Sequence, residues 1–156
     1  MLRKVTCTGN DHLLAILRLA LGVVFFAHGA GKMLGWWGGI GYSGTMGFFT
    51  HYMHIPSPLA FLVICAEFFG GLGLILGLLT RIAAFGLFCD MLVALFLVHI
   101  HNGFFMNWQG TKRAEGFEFH ILALAMLLFV LIRGAGAVSI DRLIGRRPRI
   151  DSGSPA

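Results

Sequence analysis

The chain of 156 residues is 57% hydrophobic and 12% charged, with a mean hydropathy of +0.81. Ordinary soluble domains carry roughly 25% charged residues, so this composition excludes an ordinary soluble fold. The net charge of +5 does not indicate nucleic-acid binding. Several of the basic residues follow the last apolar segment, where such residues usually set membrane topology.

Four apolar segments are long enough to cross a bilayer, which requires about 20 residues. They cover residues 13–34, 59–79, 82–100 and 117–138. Only Thr80 and Arg81 separate the second segment from the third, which predicts an antiparallel hairpin because no longer connection is available. The predicted fold class is therefore an all-α membrane protein, a single domain over residues 1–156 in which four transmembrane helices form one bundle.

The connection over residues 35–58 is rich in Gly, Trp and Phe, and aromatic residues favour membrane interfaces. Within it, Ser43 to His54 predicts a short interfacial helix that begins at Ser43 and ends before Pro56. Basic residues are more frequent on the side of the termini than in the two longer connections, the first over residues 35–58 and the second over residues 101–116. The first side carries Arg3, Lys4, Arg81, Arg142, Arg146, Arg147 and Arg149, and the second carries Lys32, Lys112 and Arg113. The positive-inside rule then predicts that both termini, including a basic tail over residues 139–156, are cytoplasmic in a bacterial inner membrane.

Ionisable residues inside apolar segments are energetically costly and usually face a bundle interior or a water-filled cavity. Helix geometry predicts that His28, Lys32, His101 and Glu118 converge in the outer half of the bundle, with Glu67 beneath them. One interpretation is a hydrogen-bond network that locks the helices together. The other is a polar cavity that binds a small molecule or a quinone headgroup and moves protons through Glu67 and His28. In that cavity Lys32, His101 and Glu118 would contact the ligand.

Two further charged residues are assigned to the inner half of the bundle. Arg18 and Asp90 are predicted to form a structural ion pair there, because a lone charge is poorly tolerated in hydrocarbon. Arg81, in the hairpin turn, is also assigned a structural role. At 100° per residue His101 points almost the same way as Asp90, whereas His99 points to the opposite side.

Histidines raise the question of a metal or haem. His51 and His54 lie close together in the first connection, and His99 and His101 form an H-x-H. Spacing fixes no third ligand, so no metal site is predicted. Haem is also disfavoured, because His28 and His101 lie near a lysine and carboxylates.

Several short motifs follow one another in a fixed order along the chain. They are RLALG over 18–22, HG at 28–29 followed by Lys32, PSP over 56–58, E-x-x-GG-x-G over 67–73, GLLTR over 77–81, NGFF over 102–105, GFE over 116–118 and G-x-G-x-x-SIDR over 134–142. Together they resemble the DoxX family of small bacterial membrane proteins, from about Leu13 to Arg142. The resemblance implies a four-helix membrane bundle. The residues at the polar positions of that family are His28, Lys32, Glu67, Arg81 and Glu118.

Some members of that family are linked to thiosulfate:quinone oxidoreduction, and others to complexes with a rhodanese-type sulfurtransferase and a superoxide dismutase. The resemblance therefore implies a membrane subunit of a redox or thiol-stress complex that contacts the quinone pool, with quinone as ligand and such enzymes as partners. A different interpretation is a non-enzymatic scaffold or assembly factor. A small-solute carrier is less favoured, because four helices without inverted repeats make a thin framework for alternating access. Gly73 and Gly77 form a G-x-x-x-G, which favours close helix packing and would permit a homo-oligomer.

Overall fold

A computed structural model describes residues 8–111 and 114–145, and these described residues are mostly helical, with no strand among them. The α-helices are α1 (His12–Leu34), α2 (Gly41–Gly47), α3 (Ser57–Leu76), α4 (Thr80–Ala94), α5 (Glu118–Arg133) and α6 (Ile140–Gly145). π-helical turns at Phe48–Tyr52 and Leu95–His99 extend α2 and α4. The predicted all-α class is therefore correct for this part of the chain.

Three helical segments in the described part of the chain are long and apolar enough to cross a membrane: His12–Leu34, Ser57–Leu76 and Thr80–Asn102. They coincide with the first three predicted segments to within a few residues. The fourth predicted segment forms α5, which has 16 residues. At 1.5 Å per residue α5 is about 24 Å long, less than the roughly 30 Å of a hydrocarbon core. The helix is present, and its crossing of the membrane stays a prediction.

Local sequence signals explain where the long helices begin and end. The Asp11 side chain accepts a hydrogen bond from the Leu14 amide at 3.0 Å and caps the start of α1. Gly35, at a φ of 75°, ends α1, and Gly77, at a φ of 63°, ends α3. Glycine adopts this left-handed conformation at little cost. The predicted end of the second segment at Leu79 was therefore about three residues too late.

Glycines allow α1 and α3 to pack unusually closely. A β-carbon on Gly29 would lie 2.4 Å from the Phe68 backbone nitrogen, and one on Gly71 would lie 2.4 Å from the Phe26 backbone nitrogen. Real β-carbons do not approach backbone atoms this closely, so each helix needs glycine where it meets the other. The register between α1 and α3 is set by these contacts.

The predicted G-x-x-x-G packs inside the chain. Gly77 is buried, and a β-carbon there would lie 2.4 Å from the Ser139 β-carbon. At Gly73 a β-carbon would lie 3.3 Å from the Ala83 β-carbon. Close packing was the correct role for the pair, but Gly77 is not exposed and offers no surface for a homo-oligomer.

Apolar side chains from α1, α3, α4 and α5 form one core. Its buried members include Leu21, Phe25, Leu74, Leu87, Leu127 and Val130. The outward faces of the same helices also carry large apolar side chains, including Leu13, Ile16, Phe69, Phe85 and Leu122, and these are exposed. Apolar residues on both the inner and outer faces are what a lipid-embedded bundle requires.

Arg18 is fully buried at the end of the bundle that carries the α3–α4 turn and residues 134–141, which we call the closed end. Its Nε donates a hydrogen bond to the Ala135 carbonyl at 2.9 Å, and its terminal nitrogens donate to the carbonyls of Leu74, Ile75 and Val138. One guanidinium therefore joins the end of α3 to the segment that follows α5.

The acidic residue near Arg18 is Asp141, and the predicted ion pair of Arg18 with Asp90 is wrong. The buried Asp141 carboxylate accepts hydrogen bonds from the amides of Leu79 at 2.8 Å and Thr80 at 2.9 Å. It therefore caps the first turn of α4 from about 60 residues away along the chain. Asp90 lies further along α4, too far from this end to contact Arg18.

The segment predicted as a tail begins inside the fold. Ser139 and Asp141 are buried, and α6 continues to Gly145. Arg81 donates to the Leu131 carbonyl at 2.7 Å, a structural link between α4 and α5. The remaining tail over residues 146–156 lies outside the described residues, as do most of the basic residues on which the topology prediction rests, so that topology stays a prediction.

The first long connection is helical where an interfacial helix was predicted. Helix α2 and the π-helical turn together cover residues 41–52, against a predicted 43–54. The predicted cap at Ser43 was wrong, because α2 begins after Ile40 and no side chain caps it. The position of this segment at a membrane interface stays a prediction.

Candidate functional site

A cavity of about 390 Å³ lies between α1, α3, α4, α5 and the first connection, away from the closed end. This volume is in the range of small-molecule sites, roughly 300–1,000 Å³. Its wall is mostly apolar and aromatic, and includes Phe25, Phe48, Phe49, Met53, Val63, Met91, Leu97 and Phe119. Its polar lining residues are His28, Lys32, Glu67, Asp90, His99, Glu115 and His120.

An ion pair between α1 and α3 lies in this cavity wall. Lys32 Nζ donates to Oε2 of Glu67, and the two side chains are 27% and 7% exposed, respectively. The pair forms because Gly29, one turn before Lys32, brings α1 against the α3 backbone next to Glu67. A carboxylate buried this deeply would be strongly destabilising without such a partner.

Asp90 lies beside this ion pair. Its carboxyl group lines the same cavity as Glu67 and Lys32, and the charges of both act on it. The residue is 6% exposed, and its Oδ2 is buried with no hydrogen-bond partner among the described residues. A buried polar atom left in this state costs about 1–3 kcal/mol, so it marks a position where a ligand atom would be favourable.

Two histidines, one from the π-helical turn after α4 and one from α5, stack in the cavity wall. The rings of His99 and His120 have centroids 4.1 Å apart and planes inclined by 35°. His99 Nδ1 lies 3.0 Å from the Glu115 backbone carbonyl, and a carbonyl only accepts, so this nitrogen carries the hydrogen. His120 Nδ1 is buried and lacks a partner in the described part of the chain. The cavity therefore contains two buried polar atoms whose hydrogen-bonding capacity is unused.

The family model described as DoxX matches residues 13–100. This chain belongs to the DoxX family. It is 30% identical to "Inner membrane protein YqjF" of Escherichia coli over 85% of this chain and 92% of that protein. It is 32% identical to a protein of Haemophilus influenzae, with 85% and 90% covered, and 26% identical to "Putative oxidoreductase CatD" of Bacillus subtilis, with 83% and 84% covered. No solved structure matches this DoxX chain.

The resemblance drawn from the motifs is thus confirmed, and with the three long apolar helices it identifies a membrane protein. The matched segment contains α1, α3 and α4 and therefore Lys32, Glu67 and Asp90. His120 and Glu115 lie outside it, in the part of the cavity that α5 and its preceding connection supply.

In this DoxX protein the structure brings together three of the five residues predicted for the outer cluster. His28, Lys32 and Glu67 all line the cavity. His101 and Glu118 do not: His101 is exposed, and Glu118 accepts hydrogen bonds from residues of the second connection instead.

A π-helical turn explains the error at His101. The turn at Leu95–His99 contains about one residue more than an α-helical turn. Residues after it are therefore displaced by about 100° around the axis, and His99 faces the cavity although regular geometry turned it away. The sequence carries no clear signal for such a turn.

Glu118 positions the second connection. Its Oε1 accepts hydrogen bonds from the Met106 amide and from Trp108 Nε1, both at 3.0 Å. This holds the connection against the start of α5, where Met106 closes one side of the cavity. Glu118 therefore shapes the cavity indirectly and does not line it.

The position of Asp90 at the depth of Glu67 could have been predicted from the hairpin of α3 and α4. Glu67 stands ten residues before Gly77, and Asp90 stands ten residues after Thr80. Both are therefore about 15 Å from the same turn, which places the two carboxyls at one depth. The depth of each residue was predicted from its own segment alone, so the equal distance of Glu67 and Asp90 from the turn was missed.

A second, more open groove of about 550 Å³ adjoins the cavity on the side of Trp36 and Trp37. The groove and the cavity share the side chains of His28, Lys32, Phe48 and Phe49. His28 is exposed, and it lines both the open groove and the cavity that contains the buried carboxyl groups.

Proposed function

We propose that this DoxX protein is a membrane subunit of a redox or oxidative and thiol-stress complex, and that its cavity binds the headgroup of a membrane quinone. The observation that carries the proposal is an aromatic and aliphatic cavity whose polar groups are a buried ion pair and a second carboxyl. A quinone offers a flat apolar ring with polar oxygens, which suits this lining. The similarity to a protein named as an oxidoreductase, at 26% identity, supports the same class.

Proton handling is assigned to Glu67 and His28. Quinone reduction takes up protons as well as electrons, so the site needs groups that hold and release them. Lys32 supplies one positive charge beside the carboxyl groups of Glu67 and Asp90, which line the same cavity. In the proposal, His28, which lines both the cavity and the outer groove, passes protons between Glu67 and that groove.

Lys32 orients Glu67 in this proposal. It was expected to contact the ligand, with an anionic group as its target, but its ammonium already pairs with Glu67. A second anion would compete with that carboxylate. The ligand is therefore expected to contact the Lys32–Glu67 ion pair and not a free Lys32 ammonium group.

The proposal includes a membrane arrangement. α5 is the fourth span, both termini lie in the cytoplasm of a bacterial inner membrane, and the cavity opens toward the outer half. The count of basic residues supports this orientation. A sulfurtransferase, a dismutase or a quinone-linked enzyme is the expected partner, in line with the family resemblance.

Electron transfer in native membranes tests the site. Glu67→Gln and His28→Ala should each reduce quinone-dependent electron transfer through the complex at least tenfold, since positioned proton transfer typically contributes about 10²–10⁴. His51→Ala is the matched control, because His51 is an exposed histidine that lines neither the cavity nor the groove. Unchanged transfer in both cavity variants, with normal protein levels, would rule out this site assignment.

The non-enzymatic scaffold remains the second candidate, and the Lys32–Glu67 pair favours it because this pair also ties α1 to α3. A scaffold predicts that Glu67→Gln lowers thermal stability in detergent and leaves electron transfer unchanged. Mass spectrometry of proteins that co-purify from native membranes separates the two further. A redox enzyme recovered in stable proportion supports the redox subunit.

A further inference from the structure

We infer that the cavity opens sideways into the bilayer between α3 and α4, and that the apolar chain of a membrane-soluble ligand lies in this opening. We call the opening the lateral mouth and define it by Val63, Val93 and Leu97. The inference rests on the proposed function for the ring that binds. It adds the chain that the ligand must carry and the place where that chain lies.

The outward face of α4 borders the cavity. That face carries Ile82, Phe85, Cys89 and Val93, which are spaced three or four residues apart and are all exposed. Val93 also lines the cavity. Leu97, one turn later, lines the cavity as well and is 60% exposed. The cavity therefore reaches the outer surface of the bundle beside these two residues.

The seam between α3 and α4 is closed near their shared turn and open further from it. A β-carbon on Gly70 would lie 3.1 Å from Leu87 Cγ, so the two helices are in close contact there. Val63, two turns further from the hairpin turn on α3, lines the cavity, and so does Val93 on α4. The cavity thus occupies the seam at this level, between the helices that enclose it elsewhere.

The lateral mouth lies at the depth of the acyl chains. Val93 follows Thr80 by 13 residues, which places it about 20 Å from the hairpin turn, within a hydrocarbon core of roughly 30 Å. In the proposed membrane arrangement the turn lies at the cytoplasmic face. A ligand that enters here must dissolve in the bilayer, and a polar ring does so when it carries an apolar chain.

The chemistry of the lateral mouth suits such a chain. Val63, Val93 and Leu97 are aliphatic and offer no hydrogen-bonding side chain. An apolar chain therefore lies against them without covering a polar group, whereas a polar substituent would lose its hydration.

The other opening of the cavity is less suited to the chain. The groove beside Trp36 and Trp37 is lined by the polar side chains of His28, Lys32 and Thr45. A chain that passed through this groove would cover those groups and remove them from water, which costs free energy. The chain is therefore assigned to the lateral mouth, and the ring to the cavity beside the Lys32–Glu67 pair.

Binding to the full chain in lipid nanodiscs tests the inference with two probes. They are decylubiquinone and the same ring with a hydrogen in place of the decyl chain. Val93→Trp fills the mouth and should weaken decylubiquinone at least about tenfold, the effect of a typical overpacking penalty, but the chainless ring by less than about threefold. Each ratio compares the variant with the wild type for one probe, so the partitioning of the probe into lipid cancels.

Val23→Trp is the matched control, because Val23 is a 57% exposed valine on α1 that lines neither the cavity nor the groove. It should change the binding of both probes by less than about threefold. Unchanged binding of decylubiquinone by a folded Val93→Trp variant, or equal weakening of both probes, overturns the inference and leaves the proposed quinone site intact. Failure of both probes to bind to the wild type overturns the proposed site and the inference together.

Photolabelling of the wild type gives a result that depends on no variant. A decyl chain on the same ring that ends in a diazirine should label Val63, Val93 or Leu97, and excess decylubiquinone should abolish this labelling. Labelling of Trp36 or Trp37 instead would show that the chain leaves through the groove. Labelling at the mouth that persists under competition would reflect ordinary lipid contact, and either result overturns the inference.

Discussion

Replacement of Arg18 by methionine would remove the hydrogen bonds that close one end of the bundle. The guanidinium is fully buried and donates to carbonyls at the end of α3 and in the segment after α5. Methionine fills much of the same space but donates nothing. The Ala135 and Val138 carbonyls lose their donor, and the buried Asp141 carboxylate loses the nearby positive charge.

The expected loss is about 3–5 kcal/mol in the free energy of unfolding. Removal of one partner from a buried charge cluster typically costs this much, and each hydrogen bond to a charged group contributes about 1.5–3 kcal/mol. We do not expect the sum of all four bonds, because the carbonyls at the end of α3 can reach other donors. Arg18→Lys keeps the charge but has fewer donors, and should lie between the two.

Reversible SDS unfolding in mixed micelles measures this loss, with Arg133→Met as the control. Arg133 lies near the same end of the bundle, its side chain is 56% exposed, and its Nη2 is 3.5 Å from Asp11 Oδ2. Exposed ion pairs contribute about 0–1 kcal/mol, so the control should change little. If Arg18→Met lies within about 1 kcal/mol of the wild type, the hydrogen bonds from Arg18 to the carbonyls do not stabilise the fold.

Two other predictions use the same unfolding measurement. Gly29→Ala places a β-carbon 2.4 Å from the α3 backbone and should cost at least about 2 kcal/mol through overpacking. Its control is Gly47→Ala, which meets no atom within 4 Å and should change the free energy of unfolding by less than about 1 kcal/mol. Equal effects of the two variants would refute the close approach of α1 and α3. Lys32→Met leaves Glu67 buried without its cation and should cost about 3 kcal/mol, the low end for a broken buried pair, because the Lys32 side chain is 27% exposed. The double variant Lys32→Met/Glu67→Gln should recover more than half of that loss, and no recovery would show that the pair is not the cause.

Much of the fold could be predicted from the sequence because lipid imposes a simple rule on it. A helix that crosses hydrocarbon must satisfy its own backbone hydrogen bonds and present apolar side chains, so long apolar runs mark the helices directly. The three long spans and the tight turn at Thr80 were predicted on this basis. The helix ends were less accurate, because glycines such as Gly77 stop a helix before the apolar run itself ends.

The candidate site was only partly predictable, since it depends on how the helices meet. Lys32 was placed in the outer cluster and Glu67 directly beneath it, because the depth of each residue on its helix can be read from the sequence. Asp90 was paired with Arg18 on the assumption that buried charges of opposite sign find each other. Backbone carbonyls accept the hydrogen bonds of Arg18 instead. Every residue has a backbone carbonyl, so the sequence does not indicate which ones will accept.

The sequence by itself determined that this is an all-helical membrane protein of the DoxX family, because composition and ordered motifs do not depend on how the helices pack. The tertiary structure alone decided which polar groups share the cavity. The π-helical turn before Ile100 turned His99 inward, glycine contacts set the register that joins Lys32 to Glu67, and Asp141 returned from the far end of the chain to cap α4. Each of these three features depends either on contacts between residues distant in the chain or on a local shift in helical phase. The spacing of residues along one helix encodes neither the contacts nor the shift.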